Sequence, residues 1–171
     1  IEINELVLSE RLANTNMIDD ATIMYTSGTT ANPKGIIFDQ TNIISKRFAR
    51  ALALPNISSK DTFLCYLPLY HTFGRYLELM GSIFWGATYC FEESSSFKSL
   101  LKNFKLAHPS IFISIPKRWF QIYESATGNA TIADESELKN NLAKLTGGKL
   151  RLGLSAAGYL DPDIFTFYQE N

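Results

Sequence analysis

The apolar positions of this chain change period several times, and those changes predict its elements. Short runs rich in β-branched and aromatic residues fall at 22–26, 35–38, 62–67, 88–91, 110–115 and 150–154, and each is expected to be a strand. Between them the period lengthens. In 42–54, Ile44, Phe48 and Leu52 recur at i, i+4 and i+8, Lys46, Arg47 and Arg50 stand elsewhere, and Pro55 stops the pattern. That spacing predicts an amphipathic helix covering a sheet. In 74–85 the apolar residues Tyr76, Leu77, Leu79, Met80, Ile83 and Phe84 surround most of the circumference, so a buried helix is expected. In 135–145, Leu138, Leu142 and Leu145 share one stripe, and Glu135 stands at helical pairing distance from Lys139. Asp161 followed by Pro162 signals the start of a last helix presenting Ile164, Phe165, Phe167 and Tyr168. Residues 125–136 form the one linker of low hydrophobicity. Strands alternating with helices predict an α/β fold of layered, mostly parallel sheets flanked by helices.

Composition narrows the function classes. The 16 Lys+Arg and 17 Asp+Glu leave a net charge of -1, which gives no electrostatic case for a nucleic-acid partner. Charged residues are 19% of the chain, aromatics 13%, and Phe alone numbers 12. That is more apolar surface than 171 residues need, so either an apolar ligand pocket or faces that pack on further protein is expected. A last helix that runs to Asn171 without a cap points to a piece of a larger protein. No apolar run reaches the roughly 18 residues of a membrane-spanning helix, since Glu78, Ser82 and glycines interrupt 76–91. Peripheral membrane contact stays open. The N-terminus has acids and no basic region, so it does not read as a secretory signal. Cys65 and Cys90 sit in no CxxC and beside no metal-spaced histidine; they are expected to be reduced, buried thiols of a cytoplasmic protein, and no metal site is expected.

The informative chemistry lies in 22–38, TIMYTSGTTANPKGIIF. Thr26, Ser27, Thr29 and Thr30 offer hydroxyls, Gly28 lets backbone amides approach an anion, and Lys34 adds a point charge. These are the parts of a phosphate cradle. It is not a Walker A loop: Lys34 stands six positions after Gly28, but Pro33 occupies the second glycine and Gly35 the Ser/Thr. A Ser/Thr/Gly turn is also a common connector with no ligand, so residue types alone leave both readings open.

The order of residues goes further. YTSGTTANPKG, 25–35, resembles the phosphate-binding loop of the adenylate-forming superfamily, which includes acyl-CoA synthetases, luciferases and peptide-synthetase adenylation domains. The resemblance implies ATP-phosphate contacts for Thr26, Ser27, Gly28, Thr29, Thr30 and Lys34. Ala31 departs from it, standing where the family usually has Gly. CYLPLYHTFGRYLE, 65–78, resembles the family's next motif and implies that His71, Phe73, Gly74 and, further along the same helix, Gly81 line the acyl and adenylate pocket. By itself a lone His after an aromatic reads equally as a packed residue, and His108 is read as structural. HPSIFISIPKRWFQIYES, 108–125, is similar to the P-T-x-F-x-x-V-P-R-x-W segment of long-chain acyl-CoA synthetases, with Pro116 opening a helix that packs Trp119, Phe120 and Tyr123. LRLGLSAAGYLDPDI, 150–164, resembles the strand and turn that receive adenosine, often S-G-G-A-P-L. It implies that role for Ser155, Ala156 and Ala157, with Ala156 and Ala157 replacing glycines and Tyr159 replacing Pro. Gly153-Leu154-Ser155-Ala156-Ala157 also half-resembles the nucleophile elbow of hydrolases, but the fifth residue is Ala and no His follows Ser155, so a complete hydrolase is excluded.

The resemblance covers about 19–170 and implies that 1–171 is a fragment of the AMP-binding N-terminal domain. The acid that serves Mg²⁺, the ribose motif and the small C-terminal domain with its adenylation lysine are not in this sequence, so the chain alone is expected to be inactive, and no catalytic residue is assigned within it. For the parent enzyme the implied reaction is ATP-dependent activation of a carboxylic acid, a medium- or long-chain fatty acid, through acyl-AMP to acyl-CoA, with ATP, Mg²⁺ and coenzyme A. The alternative is a non-catalytic nucleotide-binding or structural module of the same fold. Without nucleotide, 29–33 is expected to be the most mobile segment.

Overall fold

A computed structural model describes residues 4–26, 32–128 and 135–171. The chain divides into two compact units, Ile1–Asn56 and Ile57–Asn171.

The first unit is built on a hairpin. Helix α1, Glu5–Asn14, starts at Asn4, whose side chain accepts from the amides of Leu6 and Val7 at 3.1 and 3.3 Å. Strands β1, Asp20–Thr26, and β2, Lys34–Asp39, pair antiparallel with Ile23 opposite Ile37 and Thr26 opposite Lys34. Asp39 ends β2 and opens α2, Gln40–Ala53, in a reciprocal capping box with Asn42. The apolar stripe of α2 does not cover a sheet as the spacing predicts. Leu52 is 84% exposed, Phe48 59% and Ile44 38%, whereas Arg47 is 5% exposed. A two-stranded ribbon offers too little surface to bury a whole helix face, and Met24 is its one buried hydrophobic residue among those described.

The second unit is doubly wound. Strands β3 (Thr62–Cys65), β4 (Thr88–Phe91), β5 (Ile111–Ser114) and β6 (Leu152–Ser155) form one parallel sheet in the order β4-β3-β5-β6. All four residues of β5, IFIS, are buried, as a central parallel strand covered on both faces requires. Leu64 and Phe112 face a core made by α4 (Phe97–Ala107), α5 (Pro116–Thr127), α6 (Glu135–Thr146) and α7 (Pro162–Glu170). Phe112 meets Phe104 and Trp119 edge-on, with ring centroids 4.8 and 5.2 Å apart. On the opposite face Phe63 stacks on Trp85, at 6.0 Å, from the segment that joins β3 to β4. That segment is a π-helix, Phe73–Leu79, continued by α3, Met80–Trp85.

Most expected strands begin or end one or two residues from their sequence bounds, and Ser155 closes β6 where a turn was expected. Asp161 caps α7 by accepting from the Asp163 amide, with Pro162 in the first turn, as predicted. Helix α4 is additional to the predicted elements, although Ser96 as cap and Phe97, Leu100, Leu101 and Phe104 at helical spacing signal it. The expected linker at 125–136 is in part the end of α5 and the start of α6. The helix expected to be buried all round is not. Ile83 is exposed and so is Phe84, while Glu78 and Ser82 are buried. Cys65 is buried and Cys90 half-buried, both free.

Candidate functional site

In an open parallel sheet, ligands gather beyond the carboxyl ends of the strands, at the point where the winding reverses. Here the chain leaves β3 for β4 on one side and returns past β3 to β5 and β6 on the other, so the reversal lies between β3 and β5. Tyr66 follows β3 and Ser114 ends β5. Their hydroxyls hydrogen-bond across the gap at 2.8 Å, and the Arg118 guanidinium lies 5.8 Å from the Tyr66 ring centroid. Arg118 also donates to Gln121 Oε1 at 2.6 Å and to the Ser95 carbonyl.

The turn after β3 carries His71 at this edge. Its amide donates to the Pro68 carbonyl at 3.0 Å, its ring lies against Tyr70 at 4.6 Å, and the side chain is exposed. Arg75 Nε fastens the turn by donating to the Leu69 carbonyl at 2.8 Å. The π-helix begins at Phe73, which is partly exposed; the Met80 amide reaches back to the Arg75 carbonyl, the wide spacing that marks this geometry. Gly74 lets the helix approach the turn, because a Cβ there would lie 2.5 Å from the Pro68 carbonyl oxygen and 2.6 Å from that of Leu67. Gly81 is buried in α3.

Beneath the turn lies Glu78, which is 0% exposed. Neither carboxyl oxygen has a hydrogen-bond partner among the described residues. Burial pushes this carboxyl up to about 9, against a smaller downward pull from the Leu67 backbone. Cys65 and Tyr89 feel its charge. The Cys65 thiol is pushed up first by burial and then by Glu78, and the Tyr89 hydroxyl by burial and then by Cys65 and Glu78. All three groups are therefore uncharged near neutrality.

At the carboxyl end of β6, Ser155 is exposed and the Ala156 amide donates to the Ser114 carbonyl at 3.1 Å. Ala157 has a φ of 63°, a left-handed conformation that costs a non-glycine residue roughly 1 kcal/mol. Upstream, Gly153 makes room for an aromatic: a Cβ there would meet Trp119 Cη2 at 2.7 Å, while the Trp119 indole donates to the Leu154 carbonyl at 3.3 Å. An open groove of about 530 Å³ runs beside β6, lined by Leu142, Leu150, Gly153, Ser155 and Tyr168 among others.

The structure thus brings His71 and Phe73, after β3, to the same sheet edge as Ser155, Ala156 and Ala157, which follow β6, two strands over in the sheet order. In the first unit it sets Thr26 opposite Lys34, with Thr26 Oγ1 donating to the Lys34 carbonyl at 3.5 Å, so the ends of the intervening loop meet. Ser27, Gly28, Thr29, Thr30 and Ala31 lie outside the described residues, as does most of the segment expected to be mobile. Glu78, Tyr66 and Ser114 were not singled out from sequence as site residues. Glu78 had a signal, the one acid of a mostly apolar helical stretch; the Tyr66–Ser114 pair, 48 residues apart, had none. No group of three His, Cys, Asp or Glu that could hold a metal occurs among the described residues. No helix among them is long and apolar enough to cross a membrane.

A model of AMP-binding enzymes matches residues 5–171. The peroxisomal long chain acyl-CoA synthetase 7 of Arabidopsis thaliana is 29% identical over 87% of this chain and 25% of its own length. The long-chain-fatty-acid–CoA ligase FadD15 of Mycobacterium tuberculosis is 32% identical over 77% and 22%. This chain therefore spans about a quarter of the curated relatives it matches. Two solved structures share the fold. A malonyl-CoA ligase with methylmalonyl-CoA and AMP bound has a TM-score of 0.70 at 24% identity, over 90% of this chain and 31% of its own. The o-succinylbenzoate CoA synthetase of Bacillus subtilis in complex with AMP has 0.68 at 24%, over 91% and 28%.

Proposed function

From the premise that this chain belongs to the AMP-binding enzyme family, we propose that the protein bearing it activates a carboxylic acid with ATP, through acyl-AMP, and passes the acyl group to coenzyme A. A medium- or long-chain fatty acid is the substrate; the long-chain ligases among its relatives support this. The observation that carries the proposal is the residue order of 25–35 set on a hairpin whose register puts Thr26 opposite Lys34.

The acid's oxygen attacks the α-phosphorus of ATP and pyrophosphate departs; the coenzyme A sulfur then attacks the acyl carbon and AMP departs. Lys34 and the hydroxyl and amide donors of Thr26, Ser27, Gly28, Thr29 and Thr30 hold the charge that develops on the leaving pyrophosphate, each well-placed donor contributing about 3 kcal/mol. His71, Phe73, Gly74 and Gly81 form the acid side of the site, and Ser155, Ala156 and Ala157 receive the adenosine. We place the protein in the cytoplasm on its two free thiols, although one relative is named peroxisomal.

ATP–pyrophosphate exchange with a panel of acids of increasing length tests this. Exchange should rise with fatty acids, and Lys34→Ala should slow it about a hundredfold while leaving acid binding nearly unchanged. Exchange supported by no acid would leave the non-catalytic module as the better reading.

A further inference from the structure

Helix α2 turns charge inward and apolar side chains outward. Ile44, Phe48 and Leu52 are exposed, whereas Arg47 is 5% exposed and Arg50, one helical turn further along the same side, is half-buried. All three guanidinium nitrogens of Arg47 are buried without a hydrogen-bond partner among the described residues, and so is Nη1 of Arg50. Neither residue joins an ion pair among them. The acids closest in sequence are engaged elsewhere: Asp39 caps α2, and Asp19 accepts from the Asn16 amide at 2.7 Å. Helix α2 therefore buries one whole guanidinium and part of a second with no anion supplied by the described residues. A buried carboxyl can escape such a cost by taking up a proton, but a guanidinium keeps its charge. Burial lowers Arg47 to about 10, with the Arg50 charge adding to the effect, and at that value the group is still cationic near neutrality. A buried cation without a counter-charge is destabilising, and an anion seated on it removes the penalty. The donors select the shape of that anion. The planar fork of Arg47 fits two oxygens of one group side by side, and Arg50 Nη1 adds a further donor, a pattern that a monatomic ion cannot use. Arg50, being half-buried, leaves the pair a way to solvent.

We propose that Arg47 and Arg50 form a binding site for an oxyanion, a phosphate or a carboxylate, gripped by the Arg47 fork and by Arg50. Phosphate from solution and a carboxylate from another part of the protein bearing this chain share that chemistry. The site uses none of the residues assigned to ATP, the acid or adenosine, so it stands or falls separately from the proposed function.

Inorganic phosphate and acetate are the probes, each added to the 171-residue chain at constant ionic strength against chloride, with urea unfolding as the readout. Every chain compared carries Lys34→Ala, which takes the charge of the phosphate loop out of the measurement. At about ten times its half-saturating concentration, phosphate or acetate should raise the folding constant about elevenfold. Arg47→Met should lose that gain. Without either probe, Arg47→Met should be more stable than its parent by about tenfold in folding constant, because an apolar side chain of similar length has replaced a buried unpaired cation. A gain as large in Arg47→Met as in its parent, or no gain from either probe in the parent, overturns the proposal. Should Arg47→Met fail to fold, Arg47→Lys decides, since it keeps the charge without the fork: loss of most of the gain supports the site, and a full gain overturns it. The longer protein that bears this chain separates the two sources. The same gain there makes the anion a solute, whereas no gain there, with Arg47→Met now less stable than its parent, makes it a carboxylate of the protein itself. Neither gain nor loss there overturns the site.

Discussion

The two edges of the four-stranded sheet are built on opposite terms. At the edge where the strands begin, Asp61 is buried and both of its carboxyl oxygens are hydrogen-bonded. Arg151 approaches it with two nitrogens at 2.7 and 3.1 Å, Ser110 Oγ donates at 2.7 Å and the Ser58 amide at 2.9 Å. The same Ser110 hydroxyl accepts from the Thr62 amide at 3.0 Å, so β3, β5 and the approach to β6 are fastened at one point. At the carboxyl edge, neither Glu78 carboxyl oxygen has a hydrogen-bond partner among the described residues, Ala157 holds a strained φ, and His71 and Ser155 are exposed. Satisfied polar networks fix a fold, whereas unsatisfied groups and strain persist where the surrounding structure over-determines them, at places suited to a ligand. The difference marks the carboxyl edge as the candidate site.

Breaking the matched edge should have the largest effect. Arg151→Met leaves the Asp61 charge buried without its cation and should cost about 3 kcal/mol of unfolding free energy, read from urea denaturation. The pH dependence has a definite sign. Burial alone raises the Asp61 carboxyl, but hydrogen bonds from Arg151, Ser110 and the Ser58 amide, with the Arg151 charge, outweigh it and hold the group below the usual carboxylate range. Its contribution is therefore present above about pH 4 and lost as pH falls further, so the gap between wild type and Asp61→Asn should narrow below about pH 4. A constant gap would mean that packing, not charge, holds this edge.

Next comes the close approach under the His71 turn. Gly74→Ala drives a methyl into the carbonyls of Leu67 and Pro68 and should lower stability by about 2 kcal/mol. For this reason Gly74→Leu is a poor probe of acid length, since its effect would be dominated by folding. Gly81→Leu is the better one: if Gly81 leaves room for the acyl chain, kcat/KM should shift toward shorter acids, each lost methylene weakening binding by about 0.8 kcal/mol. A lower melting temperature with unchanged preference would assign Gly81 to packing. The smallest effect should come from relieving strain. Ala157→Gly removes the left-handed penalty at the cost of some chain entropy and should stabilise by about 0.5 kcal/mol. Destabilisation there would show that the Ala157 methyl makes a contact worth more than the strain.

Local pattern by itself determined the strands and the start of α7 at Asp161 and Pro162, because each depends on neighbours within a few residues. It also carried the family, through motifs in order. Three things were decided only by tertiary structure. The stripe of Ile44, Phe48 and Leu52 reads as a buried face, yet whether a face is buried depends on how wide a surface it meets, and the hairpin is narrow. The helix after His71 reads as evenly apolar, yet packing on one side of the sheet put Glu78 inward and Ile83 outward, because a helix rotates as a unit and cannot bury every position. The pairs Tyr66–Ser114 and Asp61–Arg151 join residues 48 and 90 positions apart, and nothing in the intervening chain encodes such a pairing until parallel strands bring their ends into register.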